Sequence, residues 1–256
     1  MLHVDTPVLT LRCSLPREAM QLLPALTLLA IGERLEGLYL STPSDYDSWN
    51  PRLTTRGWHY IEAEELLPLA ALSQLITLHI DNVDGLWGAL ASTLRRLTAL
   101  KELSLSTQIF HGSHQPGPCE VFDVAATAMP HLESLSVAGC ACVGIERLPA
   151  EMSRLTNLWH LDIRDVRIER TCDVLTTLTG LERLIILRES DLPAAAQPQP
   201  ANPLPAGMSA LSSLWELRAT CYHQPMPPLE LPALEVLQLD APPPAGEVWP
   251  PACVHV

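Results

Sequence analysis

The sequence predicts an α/β solenoid of about nine coils. Each coil contributes one short strand to a parallel concave sheet and returns along an irregular or helical convex side. Three observations predict this. The first is a leucine comb with a fixed tooth spacing, as in Leu155-x-x-Leu158-x-x-Leu161-x-Ile163, that recurs along the chain at intervals of about 20 to 40 residues. The second is composition: 47% of residues are hydrophobic but only 5% aromatic, so the core is aliphatic, as stacked repeats require. The third is strict alternation at the end of each tooth. In Trp159-His160-Leu161-Asp162-Ile163-Arg164 the aliphatic residues fall on one face of a strand and the polar ones on the other.

The teeth follow one another in order. Weak copies lie at Leu9, Leu11 and at Leu35, Leu38, Leu40. Full copies follow at Leu72, Leu75, Leu78, Ile80; at Leu97, Leu100, Leu103, Leu105; and at Met129, Leu132, Leu135, Val137. After the copy at Leu155 come Leu178, Leu181, Leu184, Ile186; then Leu211, Leu214, Leu217, Ala219; and last Leu231, Leu234, Leu237, Leu239. Helical returns are expected over 17–30, 61–72, 86–97 and 119–128, and the 24 prolines imply returns that are extended as often as helical. Three long intervals mark insertions. One carries Trp49, Trp58 and Tyr60, one, from Thr107 to Thr127, carries His111 to Cys119, and one holds Ala194-Ala195-Ala196-Gln197-Pro198-Gln199-Pro200, whose composition predicts a mobile loop. The solenoid is expected over 1–241 and a Pro-rich tail over 242–256, where no polar cap for the last coil is visible.

Two repeats match closely. Leu148-Pro149-Ala150-Glu151-Met152-Ser153-Arg154-Leu155 precedes Leu158-Trp159-x-Leu161, and Leu204-Pro205-Ala206-Gly207-Met208-Ser209-Ala210-Leu211 precedes Leu214-Trp215-x-Leu217. The pattern resembles the leucine-rich-repeat (LRR) superfamily over nearly the whole chain. The Leu-Pro-x-x-Leu-x-x-Leu-x-x-Leu form looks like the cytosolic repeats of plant resistance proteins and Ras-pathway scaffolds. The resemblance implies a horseshoe-shaped, intracellular binding module. One departure stands out. The family places Asn or Cys three residues after the second strand leucine, to bond the turn backbone. Here those positions hold Ser14, Pro43, Val83, Gln108, Cys140, Val166, Glu189, Tyr222 and Pro242; only Cys140, with Ser14 and Gln108 as weaker substitutes, could serve, so the other turn amides must find other partners.

A net charge of −13 disfavours nucleic acid and favours basic partners. No apolar run reaches the roughly 18 residues of a membrane span. The N-terminal residues show no secretory pattern, and seven scattered cysteines suggest reduced thiols, so a cytoplasmic location is expected. His111, His114 and Cys119, with Cys140 and Cys142 a repeat later, form the one metal-like cluster, but their spacing matches no zinc pattern, and no cofactor is expected. There is no Gly-x-x-x-x-Gly-Lys-Ser/Thr loop, no Gly-x-Ser-x-Gly elbow and no His-Glu-x-x-His, so the chain is not read as an enzyme.

Function is therefore expected on the outward face of the sheet. The candidate partner-binding residues are Tyr39, His79, His160, Asp162, Arg164, Arg183, Glu216 and Arg218, centred on His160 and the three arginines. Arginine binds carboxylates and phosphates through two parallel bonds, so the expected partner is a protein with an acidic or phosphorylated segment. The bland alternative is that these charges solvate the sheet or pair with Asp162 and Glu216. Trp159 and Trp215 either form an exposed aromatic pair or pack as extensions of the core. The leading functional expectation is a scaffold or adaptor. The alternatives are a substrate-recognition subunit of a ubiquitin ligase or immune receptor, and a zinc-dependent regulator built on the His111 loop.

Overall fold

The structure, a computed structural model, describes residues 9–13, 35–41, 67–81, 86–106, 119–138, 144–168, 170, 172–187, 204–220 and 230–239. The period-2 segments are strands: β1 (Leu9–Cys13), β2 (Leu35–Ser41), β3 (Thr77–Asp81), β4 (Glu102–Ser106), β5 (Ser134–Ala138), β7 (His160–Arg164), β9 (Arg183–Leu187), β10 (Glu216–Ala219) and β11 (Val236–Leu239). They form one open sheet in chain order, β1-β2-β3-β4-β5-β7-β9-β10-β11, and every neighbouring pair is parallel. Parallel neighbours in strict chain order need a return segment after each strand, and those returns form the other side of the molecule. This is the leucine-rich-repeat solenoid, with its sheet on the concave side.

Register turns the comb into rows. Leu38, Leu78, Leu103, Leu135, Leu161, Leu184, Leu217 and Leu237 stand side by side, and Leu40, Ile80, Leu105, Val137, Ile163, Ile186, Ala219 and Leu239 form a second inward row. From Leu38 to Leu217 the first row is almost wholly buried. Each such leucine contributes about 1.5–3 kcal/mol of hydrophobic stabilisation, so identical neighbours make the stack continuous.

The three-residue tooth spacing has a backbone cause. The amides of Leu155, Leu158, Leu175, Leu178, Leu181, Leu211 and Leu214 each donate to the carbonyl three residues earlier, at 2.9–3.1 Å. Such tight turns superimpose residues i and i+3, so every third residue faces the core. Next to these turns runs a second device. The carbonyl just before each strand accepts two amides from the following coil: Trp159 receives Glu182 and Arg183 at 2.8 and 2.9 Å, Glu182 receives Trp215 and Glu216, and Trp215 receives Glu235 and Val236. The same arrangement runs upstream through Ile76, Lys101 and Glu133. It laces the coils backbone to backbone at the strand entries; the positions usually held by Asn lie at the other end, in the turns that follow the strands. Of those positions only Val166 lies among the described residues, and there an apolar side chain is buried. Asp165 before it takes a left-handed φ of 52°, and its amide donates to the Leu187 carbonyl at 2.9 Å. Aspartate is among the residues that tolerate that conformation.

The returns change character along the chain. The segments α1 (Leu86–Leu94) and α2 (Cys119–Ala128) are α-helical, with Leu90, Leu94, Val121, Phe122 and Ala125 against the core. Helix α2 matches the expected 119–128, whereas α1 stops three residues short of Leu97, where the comb's tight turns begin. Within the expected helix 61–72, residues 67–72 are described, and Leu67–Ala71 is a 3-10 helix that includes Pro68. Later returns are short 3-10 turns at Ala150–Arg154, Asp173–Thr177 and Met208–Ala210. Pro149, at φ −64° and ψ 142°, holds the entry to the first of these extended. Two-residue strands β6 (Gly144–Ile145) and β8 (Arg167–Ile168) pair beside them.

Several expectations fall outside the described residues: the helix over 17–30, the aromatic insertion with Trp49, Trp58 and Tyr60, the loop at His111 and His114, Cys140 and Cys142, the segment from Ala194 to Ala201, and the tail 242–256. Cys119 is described only as the first backbone position of α2.

Candidate functional site

Alternation sends three rows outward, and register places every candidate residue on that face. Thr77, Glu102, Ser134, His160, Arg183, Glu216 and Val236 make the first row. Tyr39, His79, Ser104, Ser136, Asp162, Ile185, Arg218 and Gln238 make the second, and Asp81 and Arg164 belong to the third. The eight residues separate into two groups. Tyr39 and His79 lie on β2 and β3, of which β3 is three strand steps from β7, or about 14 Å at the usual strand spacing. Serines occupy most of the gap.

The larger group is a network. Glu216 is only 2% exposed and is held from two sides. Arg183 Nε, across from it on β9, donates to Oε2 at 2.6 Å, and Arg218 Nε, two residues along β10, donates to Oε1 at 2.7 Å. Arg218 Nη1 donates on to Gln238 Oε1 at 3.3 Å. The Arg183 guanidinium sits 5.6 Å from the centroid of the Trp215 ring, an attractive cation–π contact. Burial alone would raise the Glu216 pKa, but the bonds and charges of Arg183 and Arg218 outweigh it, so this carboxyl titrates below the ordinary glutamate value.

One strand pair over, Arg164 grips Asp162 side-on. Its Nε reaches Oδ1 at 2.9 Å and its Nη2 reaches Oδ2 at 3.0 Å. Asp162 is buried, as is Ile185 in register between Asp162 and Arg218, at 3% exposure. Asp162 and Glu216 were expected to face solvent; like Ile185 they point outward but are buried, Asp162 beneath Arg164 and Glu216 beneath Arg183 and Arg218. The pairing of the arginines with Asp162 and Glu216 is the bland alternative weighed above, and it leaves the group one positive charge in excess.

His160 stands between the network and the serines. Its Nδ1 shares a hydrogen bond with the Ser134 hydroxyl at 3.0 Å, and its ring stacks on Trp159 at 5.4 Å and 28°. Its Nε2 is buried and has no bond among the described residues. Burial lowers the His160 pKa below the ordinary value and the Arg183 charge adds to this, while Asp162 and Glu216 oppose it. Trp159 and Trp215 thus do a third thing, neither an exposed pair nor simple core: each is half-buried and supports an outward polar side chain. The equivalent place in two repeats was the sequence signal, and what lies above each ring was not in it.

At the other end, the rings of Tyr39 and His79 are in contact, 4.6 Å apart and tilted by 38°. His79 Nε2 is 3.9 Å from Glu102. Burial raises the Asp81 pKa above the usual carboxylate value, partly offset by His79. Among the described residues no group of three or more His, Cys, Asp or Glu side chains could hold a metal ion, and no helix is long and apolar enough to cross a membrane.

No protein family profile and no curated protein matches the chain. Solved structures with a similar course include an LRR protein of Leptospira interrogans, at 18% identity and a TM-score of 0.45, covering 91% of this chain and 58% of that one. An internalin of Listeria monocytogenes, at 17% identity and a TM-score of 0.32, covers 73% of this chain and 56% of its own. The chain spans a little over half the length of either. The fold assignment stands on the strand order and register described above.

Proposed function

We propose that the chain is a non-catalytic protein–protein interaction scaffold or adaptor that holds its partner on the concave face. Its contact surface is the C-terminal half of that face, centred on His160, Arg164, Arg183 and Arg218, with Asp162 and Glu216 as part of the same network. Tyr39 and His79 make a second contact at the far end of the sheet. The partner offers an acidic or phosphorylated segment, and the protein works in the cytoplasm. The single observation that carries this reading is that three arginines gather on adjacent strands of an otherwise acidic chain, in a layer one positive charge in excess. The Leu-Pro repeats at Leu148 and Leu204, which both lead into 3-10 turns, support the cytosolic repeat type.

The test compares two faces. Arg183→Glu combined with Arg218→Glu is expected to weaken capture of the partner that the wild-type protein retains by about 1 kcal/mol or more, the scale of an interface hot spot. Arg154→Glu, on an exposed convex position, is expected to change nothing. Melting curves of both variants establish that each is folded. Loss of the partner in the convex variant alone overturns the assignment of the face.

A further inference from the structure

The three arginines are not equivalent. Arg164 presents both Nε and Nη2 to Asp162, so its best binding edge is occupied. Arg183 and Arg218 instead contact Glu216 through Nε alone. Both Nη groups of Arg183, and Nη2 of Arg218, have no hydrogen-bond partner among the described residues. The two side chains are 32% and 40% exposed, against 3% for that of Glu216. One buried carboxylate therefore pins two guanidinium groups by their inner edges and leaves the outer ones open. Trp215 braces Arg183, which restricts it further.

We infer that Arg183 and Arg218 form an oxyanion site for a side-chain carboxylate of an acidic protein segment, with Glu216 as its positioning residue. A fixed fork of donors loses less freedom on binding than a mobile one. The charge balance selects the class of anion. Arg183, Arg218 and Glu216 carry one net positive charge, which a single carboxylate neutralises. A phosphoryl dianion leaves an excess negative charge in a chain that already carries −13. The identity of the carrier as a protein rests on the proposed function; the anion site itself does not.

The experiment follows the arginine Nε–Hε signals of the full chain by NMR during titration with an end-blocked peptide of alternating Glu and Gly. Saturable shifts are expected at Arg183 and Arg218 and not at Arg164. The same peptide with Gln in place of Glu is expected to produce none. Glu216→Gln makes the site one charge more positive, so simple attraction would tighten binding; positioning predicts about tenfold weaker binding, the loss typical of one hydrogen bond to a charged group. Arg183→Lys keeps the charge and the pairing with Glu216 but removes the fork, and about tenfold weakening is expected here too. If Glu216→Gln does not fold, Arg183→Lys decides alone. Tighter binding by Glu216→Gln, unchanged binding by Arg183→Lys, or the absence of saturable shifts overturns the site. Tighter binding of a phosphoserine version of the peptide overturns the carboxylate assignment. Failure here with the two-face contrast intact removes the anion site and spares the contact surface, and the opposite result does the reverse.

Discussion

Between Tyr39 and Ala138 the outward face carries a ring pair, two acids and a run of serines; between His160 and Gln238 it carries three arginines held by two buried carboxylates. The inward rows beneath are the same in both halves. The convex sides differ too: α1 and α2 lie between β3 and β5, whereas 3-10 turns lead into β3, β7, β9 and β10. Two layers of one repeat thus vary independently. The inward layer is constrained because each leucine must fit its copy in the next coil. The outward layer has no copy in the next coil that it must fit and answers to its own charge balance, so it is there that the halves diverge.

The largest expected effect comes from the layer the halves share. Leu161→Asp places a charge in the aliphatic row where the halves meet, and is expected to cost more than about 4 kcal/mol and to unfold at least the neighbouring coils. Circular dichroism during thermal melting measures this, and an unchanged melting temperature would break the register on which the comparison stands.

Truncating one acid in each outward layer sharpens the contrast. Glu216→Ala strips a buried anchor from two arginines, and is expected to destabilise by about 1–3 kcal/mol, the arginines regaining part of their hydration because they are partly exposed. Glu102→Ala removes a half-exposed acid and is expected to stay within about 0.5 kcal/mol of wild type. Urea unfolding of both variants decides; equal losses would mean that the two halves are not differently built.

The smallest effect is one of pH. His160 has a lowered folded-state pKa, so below the ordinary histidine value near 6.5 the unfolded chain takes up more protons. Stability is then lost as pH falls from about 6.5 toward the folded-state pKa. The raised pKa of Asp81 works the other way: the folded state binds the proton more tightly, so acid favours that coil. Hydrogen exchange at pH 7 and pH 5 is expected to show protection falling in β7 and its neighbours and holding in β3. His160→Gln is expected to abolish the difference. A uniform change across the sheet would remove His160 as its source.

The fold was legible because its signal is repeated. The spacing around Leu161 can be checked against Leu103 or Leu217, and agreement between copies outweighs any irregular one. Helix α2 was legible for a local reason, an uninterrupted run with Val121, Phe122, Val124 and Ala125 on one face. The 3-10 turns after Pro149 and Cys172 were not, because tight turns every three residues have no composition of their own. The outward residues were legible by alternation, but their state was not. Whether Arg183 is free or engaged depends on Glu216, 33 residues away.

The amino-acid sequence by itself determined the strands of the main sheet, the inward rows and the side of the sheet on which each polar residue stands. All of these follow from periodicity, which is local to each coil and is reinforced by its copies. Only the tertiary structure decided that Glu216 anchors two arginines, that Asp162 occupies the best edge of Arg164, and that Trp159 and Trp215 support the side chains above them. The physical reason is that these contacts couple side chains from different coils or neighbouring positions through register and rotamer. Sequence spacing sets which residues share a face, and the distance between adjacent strands sets which of them meet.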